Sequence, residues 1–314
     1  MLTAFGLTGL GLVILLFAGD ALVKGAVNVA LRLGIPALIV SLTIVAFGTS
    51  APELLIAISS ILDGVPDIAL GNVVGSNTAN VLLVLGVPAI IATMHTSEFD
   101  TKKSFNFMIA ATFLFIAICF WGTITWVQGV ILLGVLLIVL IDQARSAISH
   151  AKDAGIEEEV EGADPDMRWW KIGVFLIAGL IGLPLGAHLL VENASIIARA
   201  FNISEAIIGL TLVAIGTSLP ELATTVMATI RRQADVALGN VIGSNLFNLL
   251  AITGIASLVG PIPVDREFLI FDLWVMLGAS LLLIPFVYFR QNITRVWGYA
   301  LGGLYIAYIL FLLS

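Results

Sequence analysis

The chain has 314 residues, of which 60% are hydrophobic and only 11% charged, and its mean hydropathy is +1.11. Soluble domains carry about 25% charged residues, so this composition excludes a soluble globular protein and points to an all-α integral membrane protein. The formal net charge of −7 owes much to one acidic stretch, Asp153 to Asp166. The single cysteine, Cys119, excludes both a disulfide framework and a thiolate metal site.

A membrane-spanning helix needs about 20 apolar residues, and ten such segments are predicted in chain order. The first, 7–31, is expected to be a membrane span rather than a secretory leader, because Met1 to Gly6 carries no basic side chain and the apolar run is long. It holds Asp20 and Lys24. The second, 36–62, contains TIVAFGTSAPE at 43–53, and the third, 68–92, contains ALGNVVGSNTAN at 69–80. Spans at 105–121 and 125–148 complete a first half. The polar segment 150–168 is too short to fold alone. The sixth span, 170–198, holds His188 and Glu192. The seventh, 204–230, and eighth, 236–259, carry TLVAIGTSLPE at 211–221 and ALGNVIGSNLFN at 237–248. Spans at 267–289 and 294–313 end the chain.

The two pairs of phrases are separated by one constant offset of 168 residues, with roughly half of positions 43–80 identical to their partners. Five spans separate each residue from its copy, and five is odd, so the two halves must be inverted in the membrane. The expected organisation is a five-helix repeat at 1–149, an acidic linker at 150–168 and a second five-helix repeat at 169–314. With the N-terminus outside, eleven Lys and Arg residues fall in inner loops and two, Arg199 and Arg266, in outer loops. The positive-inside rule therefore places both termini on the extracytoplasmic side of the cytoplasmic membrane and the linker in the cytoplasm. One detail agrees: Asp63-Gly64, predicted outside, corresponds to Arg231-Arg232, predicted inside. Inverted repeats with a midplane site at their interface are a common plan for secondary transporters.

Each repeat puts one glutamate, Glu53 or Glu221, in the middle of an apolar segment, where ionisable groups are costly and mark function. On a helix Thr49, Ser50 and Glu53 share a face. Pro52 has no N–H to offer the carbonyl of Gly48, which is freed from the helical ladder. Ala46, Gly48, Thr49, Ser50 and Glu53 then form an all-oxygen half-cage, and Ala214, Gly216, Thr217, Ser218 and Glu221 repeat it around Pro220. Hard cations such as Ca²⁺ and Na⁺ take such oxygens. In the partner phrases Asn72, Ser76 and Asn80 recur every four residues, as do Asn240, Ser244 and Asn248, and supply further neutral oxygens. Gly75-Ser76-Asn77 and Gly243-Ser244-Asn245 are predicted helix breaks. Two carboxylates carry −2, which one divalent or two monovalent cations neutralise, and competition of different cations for one negative site is the physical basis of exchange.

These phrases resemble the two α-repeats of the sodium/calcium exchanger family, within the wider cation/calcium antiporter group, and the resemblance spans the chain. It implies a secondary antiporter, without enzyme activity or cofactor, that exchanges Ca²⁺ for Na⁺ by alternating access. It implies that Glu53 and Glu221 are the main calcium ligands and that Thr49, Ser50, Thr217 and Ser218 give hydroxyls and carbonyls to calcium and sodium sites. Ala46 and Ala214 would add carbonyls, Ser76 and Ser244 would help form flanking sodium sites, and Asn80 and Asn248 would complete the central site. Spans 1 and 6 would slide across the remaining eight. Some relatives have Asp where this chain has Asn248, and in the potassium-dependent branch that Asp is tied to potassium, so Asn248 argues against potassium co-transport. The alternatives are a proton-coupled cation antiporter using the same glutamates, a channel, for which two inverted copies make no symmetric ring, and a membrane enzyme, for which no HExxH or GxSxG set occurs. The expected partners are the bilayer and inorganic cations, not nucleic acid, with a monomer sufficient for transport. Asp142 and Asp272 are expected to face water near span ends.

Overall fold

The computed structural model describes residues 1–35, 37–95, 101–153, 164, 166–201 and 214–312. Among them there is no β-strand, only two isolated bridges, Met94 with Ile293 and Ile124 with Ile262. Much of the predicted linker, 154–163 and 165, and the first part of the seventh span, 202–213, lie outside the described residues.

The helices are α1 (Leu2–Leu33), α2 (Ala37–Thr49), α3 (Ala51–Leu62), α4 (Pro66–Ile91), α5 (Lys102–Phe120), α6 (Trp126–Asp153), α7 (Trp169–Ala200), α8 (Ala214–Thr217), α9 (Leu219–Ile230), α10 (Ala234–Val259), α11 (Phe268–Tyr288) and α12 (Arg295–Leu312). Eight of these are long and apolar enough to cross a bilayer, and α2–α3, bent by 40°, makes a ninth. The short pair α8–α9 corresponds to α2–α3 in the second repeat and is the described part of the predicted seventh span, 204–230.

The bend falls beside the prolines, where the sequence predicts a carbonyl freed from the helical ladder. Ser50 leaves helical geometry at φ −84°, ψ 5°, and Ser218 does so at φ −84°, ψ 3°. Pro52 and Pro220 follow inside the first turns of α3 and α9, where a missing N–H costs least. The other end of each half-helix is also built twice. Gly64 turns the chain at φ 77°, and Arg232 adopts φ 58° at the matching place. Val65 N–H donates to the Ser60 carbonyl at 2.8 Å, and Gln233 N–H donates to Ala228 at 2.8 Å. Glycine takes that left-handed conformation freely, whereas arginine takes it at a steric cost.

Packing repeats the same two-fold relation. α1 and α7 form one closely packed antiparallel pair on small residues. A Cβ on Gly11 would lie 2.7 Å from the Leu190 nitrogen, and a Cβ on Gly179 would lie 2.6 Å from the Leu22 Cβ. These contacts exchange under the 168-residue offset. A related pair of contacts joins Gly86 of α4 to Gly298 of α12 and its counterpart Gly254 of α10 to Gly129 of α6. Such small-residue contacts are how helices approach in lipid, where tails compete equally for apolar side chains.

Two expectations are corrected. The helix does not break at Gly75-Ser76-Asn77 or Gly243-Ser244-Asn245, since α4 and α10 run through both. Their irregularity comes later, as π-helical turns at Asn80–Val84 and Phe247–Ile252. Asp272 does not simply face water, because the Tyr308 hydroxyl donates to it at 2.9 Å. Asp142 pairs with Lys103 at 2.6 Å.

The glycines of the second phrase have unequal duties. A Cβ on Gly243 would lie 2.6 Å from the Ala46 Cβ and 2.7 Å from the Leu42 carbonyl oxygen, while one on Gly75 meets nothing within 4 Å. Gly243→Ala should therefore destabilise the protein by about 1–3 kcal/mol and Gly75→Ala should not. Thermal unfolding of the two purified variants in detergent measures the difference.

Candidate cation site

The two breaks bring the repeated phrases together at the centre of the molecule. Thr49, Ser50, Glu53, Ser76, Asn80, Thr217, Ser218, Glu221, Ser244 and Asn248 are all buried. Ala46 is buried beside them, and Ala214 opens α8.

Contacts cross between the repeats. The Ser50 hydroxyl, at the first break, donates to Glu221 Oε1 at 3.1 Å, and the Ser244 hydroxyl from α10 donates to the same oxygen at 3.4 Å. Thr49 Oγ1 donates to Asn240 Oδ1 at 3.2 Å and lies 3.3 Å from the Ala46 carbonyl oxygen. The Glu53 and Glu221 carboxylates lie within electrostatic reach of each other. Among the described residues no three His, Cys, Asp or Glu converge. The site is thus two carboxylates embedded in neutral oxygens.

Among the described residues, several of these polar atoms have no partner. Glu53 Oε2, Glu221 Oε2, Ser218 Oγ, Asn80 Oδ1 and both polar atoms of the Asn248 side chain are buried without a hydrogen bond. An orphaned buried polar group costs about 1–3 kcal/mol, and a charged one more. A hard cation is the ligand that satisfies carboxylate, hydroxyl and amide oxygens at once. The two half-cages differ in this respect. Around Glu221, Ser50 and Ser244 hold one oxygen; around Glu53, the matching hydroxyl of Ser218 has no partner among the described residues.

The amides divide into two classes, and this was not legible in the phrase. Asn72 Nδ2 donates to the Glu53 carbonyl at 3.2 Å, and Asn240 Nδ2 donates to the Glu221 carbonyl at 3.3 Å. These asparagines brace the backbone of the charged residue. Asn80 Nδ2 donates to Asn245 Oδ1 at 3.0 Å, and Asn245 Nδ2 donates to the Asn77 carbonyl at 3.4 Å. That chain fixes the Asn80 amide so that its own oxygen remains available.

The site is open on one side. A cavity of about 370 Å³ is lined by Pro52 and Ile56 of α3, by Gly216 and Thr217 of α8, and by α7 residues that include His188 and Glu192. On the opposite side a smaller cleft of about 220 Å³, between Val23, Lys24 and Arg231, touches none of the site residues.

Comparison with known proteins adds three findings. A family model described as "Sodium/calcium exchanger protein" matches residues 3–143 and 171–314. The putative antiporter CaxA of Alkalimonas amylolytica is 36% identical over 90% of this chain and 89% of its own, and the sodium/calcium exchanger MaX1 of Methanosarcina acetivorans is 32% identical over 96% of both. A solved structure of the sodium-calcium exchanger NCX_Mj, soaked with Na⁺ and Sr²⁺, superposes with a TM-score of 0.82 at 33% identity, covering 98% of each chain.

The braces give a test that leaves every charge in place. Asn72→Ala and Asn240→Ala should each weaken Ca²⁺ binding by about 10- to 100-fold, the usual effect of losing a group that orients a ligand. Isothermal titration of the detergent-solubilised variants reads it, and unchanged affinity in both would remove the bracing role.

Proposed function

The chain belongs to the sodium/calcium exchanger family, ten-helix inverted-repeat transporters rather than enzymes, and from this we propose that it extrudes Ca²⁺ in exchange for Na⁺ by alternating access. The observation that carries the proposal is the set of orphaned oxygens around Glu53 and Glu221 at the repeat interface. In this reading both glutamates ligate Ca²⁺. Thr49, Ser50, Thr217 and Ser218 contribute hydroxyls and carbonyls, Ala46 and Ala214 carbonyls, Ser76 and Ser244 flanking sodium sites, and Asn80 and Asn248 amide oxygens.

Charge decides the competition. The carboxylates are one residue removed from a proline break and lie inside a low-dielectric core, so the cost of leaving −2 uncompensated is large. One Ca²⁺ or at least two Na⁺ offset it. Asn248 adds an oxygen and no charge, which supports coupling to sodium without potassium. The two ion classes cannot occupy the same oxygens together, so arrival of one favours departure of the other. The cavity beside α3 and α7 leads to Thr217 and supplies the route from one face.

The peripheral, closely packed α1–α7 pair is the element we assign to the moving body. Its glycine contacts join α1 to α7 more tightly than a pair of independent spans requires. The excess of Lys and Arg in alternate loops supports a cytoplasmic-membrane orientation with both termini outside and the 150–168 linker inside. One chain contains both half-cages, so a monomer suffices.

The reaction predicts sided, coupled flux. Proteoliposomes loaded with Na⁺ should take up radioactive Ca²⁺, collapse of the sodium gradient should stop uptake, and Glu53→Gln or Glu221→Gln should reduce it to the protein-free background. Uptake that ignores sodium and follows an imposed proton gradient would replace this reading by the proton-coupled one, and flux without any counter-ion would indicate a channel.

A further inference from the structure

Beside the ion site, each helix of the α1–α7 pair carries one i, i+4 pair of charged or titratable groups. Asp20 and Lys24 of α1 lie 3.0 Å apart, and His188 and Glu192 of α7 lie 3.4 Å apart. The 168-residue offset maps Asp20 onto His188 and Lys24 onto Glu192. It also maps Asp63, at the end of α3, onto Arg231, at the end of α9.

Only one of the two sets is closed. Arg231 forms an ion pair and a hydrogen bond with Asp20, and α1 packs along α9. Gly19 makes this approach possible, since a Cβ there would lie 3.0 Å from the Ala223 carbonyl oxygen. Thr224 of α9 is fully buried. On the other side the counterpart of Thr224, Ile56, lines the 370 Å³ cavity that separates α3 from α7. His188 and Glu192 are exposed, at 74% and 60% of their side chains, and Asp63 is exposed at the rim.

We propose that His188 and Asp63 form the outer latch of this transporter, the two-fold counterpart of the Asp20–Arg231 latch, and that protonation of His188 closes it. The inference rests on alternating access as proposed above. When the α1–α7 pair moves to the opposite arrangement, the relation that now joins Asp20 to Arg231 brings His188 to Asp63. The pairing is again between opposite charges, with the polarity reversed: anion on the moving helix and cation on the core at one face, cation on the moving helix and anion on the core at the other. Of the side-chain types in the two latches, only an imidazole ordinarily changes charge near neutral pH. The outer latch is therefore the proton-sensitive one.

The direction follows from which contact differs between the states. Glu192 accompanies His188 on its own helix in both, as Lys24 accompanies Asp20 in the closed latch, so it does not bias the equilibrium. Only Asp63 gains a partner on closure, and only a differential contact shifts a population. Among the described residues, the other charged group on the cavity wall is Arg199 of α7. The neighbouring part of α1 brings none, because no charged side chain occurs from Leu2 to Gly19. External acid thus favours the state closed to the outside, and the effect is lost as pH rises through the imidazole range.

Spin labels at Ser59→Cys on α3 and Phe201→Cys at the end of α7 would report the two arrangements as two distances, in the full chain reconstituted in lipid. Lowering the pH from about 8 to about 5.5 should raise the ratio of short to long distance by about two- to five-fold, the range for an exposed ion pair. His188→Asn or Asp63→Asn should abolish the pH response, the double variant should show no more than either alone, and His188→Lys should hold the short distance at both pH values. A ratio that responds to Na⁺ and Ca²⁺ but equally to pH in all variants would overturn the latch. A single distance under every ion condition would instead overturn alternating access itself.

Discussion

Everything in this molecule is arranged around two carboxylates placed where a bilayer protein can least accommodate them. Burying an ionised group away from water is tolerable only if its charge is met by an opposite charge and its lone pairs by donors or cations. The helix could not supply this in its regular form, because its backbone oxygens are all committed to its own ladder. Breaking it at Ser50 and Ser218 frees backbone oxygens and turns the first residues of α3 and α9 toward the centre. The proline in each first turn fixes the place of the break. Asn72 and Asn240, reaching across from α4 and α10, keep the freed segments from relaxing.

Much of this was legible because it rests on local chemistry. The duplicated phrases indicated the inverted repeat, the prolines marked where the ladder is interrupted, and the run of oxygen-bearing residues named side chains that the fold buries around Glu53 and Glu221. The family match and the likeness to NCX_Mj agree with the inverted ten-helix plan. What was not legible depends on long-range placement. The π-helical turns at Asn80–Val84 and Phe247–Ile252 have no glycine or proline signature, and glycines in the preceding phrases drew the expected breaks to the wrong turn. The division of asparagines into braces and free oxygens depends on which helix stands opposite. Asp20 and Arg231 lie 211 residues apart, so only the fold shows that they meet.

The two halves share about half of their residues across the repeated segment and yet do not make the same contacts. Ser50 reaches Glu221, while Ser218 has no partner among the described residues. α1 closes on α9, while a cavity keeps α7 from α3. An inverted duplication makes two arrangements available, each the mirror of the other in which half is closed. A chain that occupied a symmetric midpoint would open both sides or neither, and would be a leak or a plug. The asymmetry seen in the packing is thus what the proposed alternating access expects of one of its two states.

On the proposed mechanism, the positions where the copies differ are the ones that set the balance between those states. Arg232 pays steric strain for the turn that Gly64 makes freely, Thr224 replaces Ile56, and the charges at the two rims have opposite sign. None of these positions belongs to the proposed ligand set, so on that mechanism they alter which side is open without altering what is bound. The proposal thus assigns selectivity to residues that the duplication kept and sidedness to those it let diverge. The same division explains why the repeated phrase alone, read at the outset, could indicate a cation site but not the face from which an ion enters it.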